Sequence, residues 1–117
     1  MEEKEMNKSF YELVKKVRRN QKSYFATQDR KFLNEVLRPM EAELDTRLKT
    51  EKPTLQAAQE FRKAVWQMRG WQAGYFATYT AESRDNSIKM EKYVDKWILK
   101  TEDAIKEAME PKLQFEQ

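Results

Sequence analysis

The tetrapeptide Tyr24-Phe25-Ala26-Thr27 occurs a second time, 51 residues later, as Tyr75-Phe76-Ala77-Thr78. More residues match at the same spacing: Phe10, Val14, Arg18 and Gln21 correspond to Phe61, Val65, Arg69 and Gln72. One residue then drops out, and the matches resume at a spacing of 50: Met40-Glu41 and Asp45 correspond to Met90-Glu91 and Asp95. An internal repeat decides the architecture before any other feature. We therefore interpret the chain as two copies of one unit, at about 5–50 and about 54–110.

The composition predicts helices. The chain has 117 residues, 37% of them charged, and only two Gly and three Pro. Such a composition favours helix over strand, and the length suits one domain spanning residues 1–117.

Apolar residues recur at steps of three and four, which is the period of an amphipathic helix. They predict a helix over about 5–27 whose buried stripe includes Tyr24 and Phe25, as the matching stripe of the second copy includes Tyr75 and Phe76. They also predict a turn at 27–29 and a second helix that Pro39 kinks or divides. The second copy follows a linker at 49–54, with Pro53 suited to a first helical turn. There, part of 78–87 is predicted to be loop, and the last helix, with Ile88 on its apolar face, ends before Pro111.

The predicted fold is all-α, with two tandem helical hairpins forming a four-helix domain. The alternative is one long helix per repeat, which gives an antiparallel hairpin that dimerises to bury its stripe. The change of phase after Tyr24 and the polar stretch 78–87 favour four helices.

Most catalytic chemistry is unlikely because the chain has neither Cys nor His. Four carboxylates recur at helical spacing, Glu41, Asp45, Glu91 and Asp95, and could hold Mg²⁺. Carboxylates four residues apart are, however, ordinary on a solvated helix face. We predict no catalytic residues, no metal and no cofactor.

Two further features predict packing. Arg18 is expected to pair with Glu41 inside the first hairpin, and Arg69 with Glu91 inside the second. Gly70 and Gly74, one helical turn apart, predict a close approach by another helix.

A basic stretch belongs to the first copy alone. Its five cations are Lys15, Lys16, Arg18, Arg19 and Lys22. A face of this kind is a candidate nucleic-acid contact through counterion release. It is also commonly just a solvated surface.

The second copy is unusually aromatic. Its candidate interface residues are Trp66, Trp71, Tyr79, Tyr93 and Trp97. Large aromatic residues that a monomer core does not need are typical anchors of protein interfaces. The alternative is that they pack between the two hairpins.

The motif Val-x-x-[Val/Met]-Arg-x-x-Gln-x-x-Tyr-Phe-x-Thr, followed by Met-Glu-x-x-[Leu/Val]-Asp, spans most of both copies. It resembles small all-helical repeat proteins encoded by Bacteroides-type gut bacteria and by their phages or mobile elements. The resemblance implies a phage or mobile-element context. It carries no known activity.

Together these features predict a non-enzymatic helical adaptor that binds another protein, with self-association as a second form and action on a host factor as a third. The alternative is a nucleic-acid-associated protein that uses the basic stretch. No segment approaches the roughly 18 apolar residues of a membrane span and no signal peptide is visible, so the expected location is cytoplasmic.

Overall fold

The computed structural model describes residues 2–109, and side chains as far as residue 104. Helix α1 spans Glu3–Thr27, α3 spans Gln56–Thr78 and α4 spans Ala81–Met109. Between α1 and α3, helix α2 consists of three consecutive segments, Arg30–Phe32, Leu33–Leu37 and Arg38–Thr50. Within residues 2–109 the fold is therefore four helices without a strand, as the sequence predicts. The single long helix per repeat is not what forms.

Both hairpin turns use the same two-residue chemistry. Gln28 and Tyr79 adopt the left-handed conformation, with φ of 56° and 54°. The next residue caps the following helix: Asp29 accepts from the Phe32 amide at 3.3 Å, and Thr80 accepts from the Ser83 amide at 3.1 Å. These side chains satisfy amides that the first helical turn leaves without partners. The turn at 27–29 is thus confirmed.

The predicted loop within 78–87 is wrong beyond Thr80, because α4 already begins at Ala81. The polar side chains of this stretch are mostly exposed on the first turns of α4. The sequence pattern there reflects a solvated helix face, which periodicity alone does not separate from a loop.

The extra residue of the first copy lies in a π-helical turn at Leu33–Leu37. Helices α2 and α4 begin at Arg30 and Ala81, 51 residues apart, whereas Met40 and Met90 are 50 apart. A π turn accommodates one additional residue without changing the faces of the helix on either side. Here the Arg38 amide donates to the Leu33 carbonyl, five residues back.

Pro39 directly follows this turn and does not end the helix, which continues to Thr50. In a regular α-helix a proline ring clashes with the carbonyl four residues earlier, and its missing N–H leaves that carbonyl unpaired. The wider π turn removes this conflict. The predicted distortion at Pro39 is therefore present, as a π turn immediately before it.

The linker between the hairpins is residues 51–55, and Pro53 lies in it, not in the first turn of α3 as predicted. Pro53 is buried, and its carbonyl accepts from the Gln59 side chain at 2.9 Å. Arg62 also fixes the linker, because it pairs with Glu51 at 2.9 Å and lies over the Phe10 ring.

The core combines matched residues from both hairpins. Its fully buried members include Phe10, Val14, Val17, Leu44, Val65, Met68 and Val94. Phe10 meets its counterpart Phe61 edge to face at 6.0 Å between ring centroids, a geometry that aromatic pairs prefer. Among the residues the structure describes, no helix is long and apolar enough to cross a membrane.

The predicted close approach at the two glycines is wrong for Gly70, which has open space where a Cβ would be. At Gly74 a Cβ would lie 4.0 Å from the Ser83 hydroxyl, an ordinary contact.

Candidate functional site

The two hairpins exchange ion-pair partners: each arginine binds an aspartate of the other hairpin. Arg18 of α1 binds Asp95 of α4 through Nε and Nη2, at 2.8 and 3.0 Å. Arg69 of α3 binds Asp45 of α2 through the same two atoms, at 2.8 and 3.0 Å. The predicted pairing within each hairpin is therefore wrong. The sequence contains both carboxylates, one turn apart, but it does not show which hairpin each arginine faces.

Two glutamines join these pairs at the centre of the bundle. Arg18 donates to Gln21 at 2.7 Å, and Arg69 donates to Gln72 at 2.6 Å. The two glutamine amides donate to each other's oxygens, at 3.1 Å in both directions. Gln21 and Gln72 are both buried, so these hydrogen bonds satisfy groups that would otherwise be costly to bury.

The network ends at two glutamates. Gln21 donates to Glu41 at 2.8 Å, and Gln72 donates to Glu91 at 2.7 Å. Arg18, Arg69 and the nearby Lys22 thus face four carboxylates. The network carries a formal excess of negative charge.

In each pair, burial and ion pairing act in opposite directions on the pKa of one group: Asp95 in the first pair and Arg69 in the second. Burial alone would raise the pKa of the Asp95 carboxyl, but the hydrogen bonds from Arg18 and Lys22 hold that pKa below its ordinary value. Burial would lower the pKa of the Arg69 guanidinium, but Asp45 and Glu41 raise it. The ion-pair partners therefore favour the charged forms of Asp95 and Arg69.

This network forms the floor of a cleft at the end of the bundle where both hairpins turn, which we call the turn-end cleft. It has a volume of about 40 Å³, and all four helices contribute to it. Its lining includes Gln21, Gln72, Glu41 and Glu91 below, and Tyr24, Phe25, Tyr75 and Phe76 around them. The repeated tetrapeptide thus supplies the aromatic wall twice.

The aromatic wall is open to solvent, which corrects the prediction that Phe25 and Phe76 belong to the buried stripes. Phe25 is 58% exposed and Phe76 42%. The core does not extend this far, because the charged network replaces apolar contacts at the level of Gln21 and Gln72. Two buried leucines of α2 also line the cleft, but they leave both phenylalanine rings exposed.

The two halves of the cleft differ in their cations. Arg38 lies 5.6 Å from the centroid of the Phe76 ring, and Arg69 Nη1 lies 3.4 Å from Glu41. In the other half, the position that matches Arg38 at the spacing of 50 is Ile88. No Arg or Lys of the described chain forms an ion pair with Glu91, which accepts only from Gln72 and Ser87.

The predicted aromatic interface residues do not form one patch. Trp97 packs against the core and contacts Phe61 at 5.9 Å, which agrees with the alternative that it packs internally. Trp66 is 64% exposed, but Trp71 lies five residues on, about 140° around the helix. Tyr79 stands at the far end of α3, about 20 Å from Trp66 along the axis, and Tyr93 is exposed on α4.

The structure uses three of the five predicted nucleic-acid cations internally. Arg18 and Lys22 contact Asp95, and Lys15 pairs with Glu102. Lys16 and Arg19 are exposed and form no ion pair with the described residues. Nucleic-acid binding stays a prediction that depends on these two residues and on Lys22, whose side chain contacts Asp95 but is 63% exposed.

The four carboxylates that the sequence offers as Mg²⁺ ligands accept hydrogen bonds from arginines and glutamines instead. Among the side chains of residues 2–104, no three His, Cys, Asp or Glu come together as a metal site would require.

Sequence reasoning missed the site because its residues were assigned to other roles. Periodicity places Gln21 and Gln72 on the helix stripes as repeat matches without assigning them partners, and it places Phe25 and Phe76 in the core. The available signal was the identity of a polar residue, Gln, at the same place in both apolar stripes, since a buried polar group needs a partner.

The chain was compared with protein-family models, with curated proteins and with solved structures. None of these comparisons finds a match.

Proposed function

We propose that this protein is a non-enzymatic interaction module that binds a partner protein with its turn end. The observation that carries the proposal is the concentration of exposed apolar side chains there. Of the ten large apolar residues exposed within the described chain, five lie near the two turns: Phe25, Val36, Phe76, Tyr79 and Ile88. Large apolar side chains that are exposed together at one end of a protein are typical of interaction sites.

The turn end supports this function better than Trp66 and Trp71 do, because its two exposed phenylalanines line one cleft. The aromatic rings form contiguous pairs, with Tyr75 contacting both Phe76 and Tyr79 at 5.9 and 5.5 Å. Rigid aromatic anchors around a central pocket are where interfaces place most of their binding energy. The phage or mobile-element context that the resemblance implies makes a host protein the partner, and a second copy of the chain is the other form.

Affinity capture from cells in which the protein is native tests the proposal. Phe25→Ser with Phe76→Ser should abolish capture of the partner, whereas Trp66→Ser with Trp71→Ser should leave it intact. All four side chains are exposed, so circular dichroism should show both variants folded. Capture that survives the phenylalanine variant and disappears with the tryptophan variant would contradict the proposal.

A further inference from the structure

We infer that the partner places a guanidinium or ammonium side chain over Phe25, beside Glu91. This inference rests on the proposed function and specifies its chemistry. The cleft has two matched halves, and one of them already holds a guanidinium. Arg38 lies over Phe76 at 5.6 Å from its centroid, on the side of the cleft floored by Glu41.

The other half has the same parts without the cation. Phe25 matches Phe76 and Glu91 matches Glu41, but Ile88 occupies the position of Arg38. Glu41 has Arg69 Nη1 at 3.4 Å, whereas Glu91 has only neutral donors, Gln72 and Ser87. A carboxylate with neutral donors that lines the same cleft as an exposed aromatic ring favours a cation through charge and through the ring's quadrupole.

The size of the cleft agrees with one compact head group. A water molecule needs roughly 10–15 Å³ on this measure, so about 40 Å³ accommodates a guanidinium or ammonium group but not a ring system. The exposed Phe25 ring then covers the alkyl stem of the incoming side chain, as aromatic surfaces do for long cationic residues.

NMR titration of the full chain tests the inference with N-acetyl-arginine methylamide as the probe and its neutral citrulline analogue as the control. The side-chain amide signals of Gln72, which donates to Glu91, should shift with the arginine probe, with a dissociation constant of about 10 mM, as expected for a fragment. The citrulline probe should bind at least about tenfold more weakly, because it lacks the charge. Equal shifts with both probes, or none at Gln72, would overturn the inference.

Ile88→Arg supplies a sharper variant, because it would place an internal guanidinium where the matched half has Arg38. Ile88 is exposed, so the chain should fold, and the probe should bind about fivefold or more weakly. Leu99→Arg adds the same charge to an exposed position of α4 about 16 Å away and should leave binding unchanged. Glu91→Gln should weaken binding like Ile88→Arg.

If Ile88→Arg binds the probe as well as Leu99→Arg, the inference fails. Partner capture that still depends on Phe25 and Phe76 would then leave the proposed function standing. Loss of that dependence, with probe binding intact, would instead contradict the proposed function alone.

Discussion

Removal of Asn34 tests whether the π turn exists to hold one extra residue. Asn34 is exposed inside Leu33–Leu37. After its deletion, the same number of residues would separate the start of the helix from the matched Met in both copies. The helical segments on both sides of the deletion should keep the same residues buried. The buried Leu33 and Leu37 should then stand three residues apart, which is still one face of an α-helix.

The loss of folding stability that this deletion causes depends on Pro39. Once the π turn is lost, the proline ring meets a regular helix, which costs about 3 kcal/mol. The residue that matches Pro39 in the second copy is Lys89. Deletion of Asn34 alone should therefore destabilise by about 3 kcal/mol, and deletion combined with Pro39→Lys should return to within about 1 kcal/mol of wild type.

Deletion of Ala42 is the matched control, because this residue is exposed in the same helix beyond the π turn. Its removal rotates Leu44 by about 100° relative to the preceding turns. Leu44 is fully buried, and displacing such a residue costs about 2–5 kcal/mol, while Asp45 also leaves Arg69. A loss of this size is a large fraction of the whole stability of a small domain, about 5–15 kcal/mol.

Urea unfolding followed by far-UV circular dichroism measures all three variants. The order of stability should be the Asn34 deletion with Pro39→Lys, then the Asn34 deletion, then the Ala42 deletion. If the combined variant is as unstable as the Ala42 deletion, the π turn does not absorb the extra residue. If the Asn34 deletion alone matches wild type, Pro39 does not need the wide turn.

Three further predictions concern single residues. Gly70→Ala should stabilise the fold by about 0.5–1 kcal/mol in urea unfolding, because its new Cβ meets nothing within 4 Å; destabilisation would show a contact that the structure lacks. Gln28→Gly should raise stability by about 1 kcal/mol, since Gln28 has φ of 56° and glycine adopts that conformation without a Cβ penalty; an unchanged thermal midpoint would argue against it. The pKa of Asp95 lies below its ordinary 3.8 in the folded state, so its contribution to stability is present above about pH 4 and is lost as the pH falls through the folded value. Asp95→Asn should therefore flatten the loss of stability between pH 5 and about pH 2, and a profile parallel to wild type would refute the assignment.

The sequence was sufficient for the architecture because the fold depends on periodicity and on turn chemistry. Apolar residues at helical spacing place Phe10, Val14 and their matches in the core. Asp29, a capping residue, marks the first turn, whereas the second turn was predicted only as part of a longer loop. The extra residue before Pro39 was visible as a change of spacing, although a spacing does not say whether a helix breaks or widens.

The partner of each arginine could not be predicted, because it depends on how the hairpins pack. Asp45 and Glu41 lie one turn apart on α2, and the register within the hairpin predicts Arg18 as the partner of Glu41. The packing brings Arg69 to them instead, at 2.8 Å from Asp45. The cleft could not be predicted either, because the exposure of Phe25 depends on where the apolar core ends in three dimensions.

A double-mutant cycle on the exchanged ion pairs tests most directly the arrangement that builds the turn-end cleft. Arg18→Gln and Asp95→Asn, singly and together, should give a coupling energy of about 1.5–3 kcal/mol in urea unfolding, because both side chains are largely buried. The cycle of Arg18→Gln with Glu41→Gln, which are linked only through Gln21, should give at least about 1 kcal/mol less. A coupling of Arg18 to Glu41 that equals or exceeds its coupling to Asp95 would contradict the exchange, and with it the cleft.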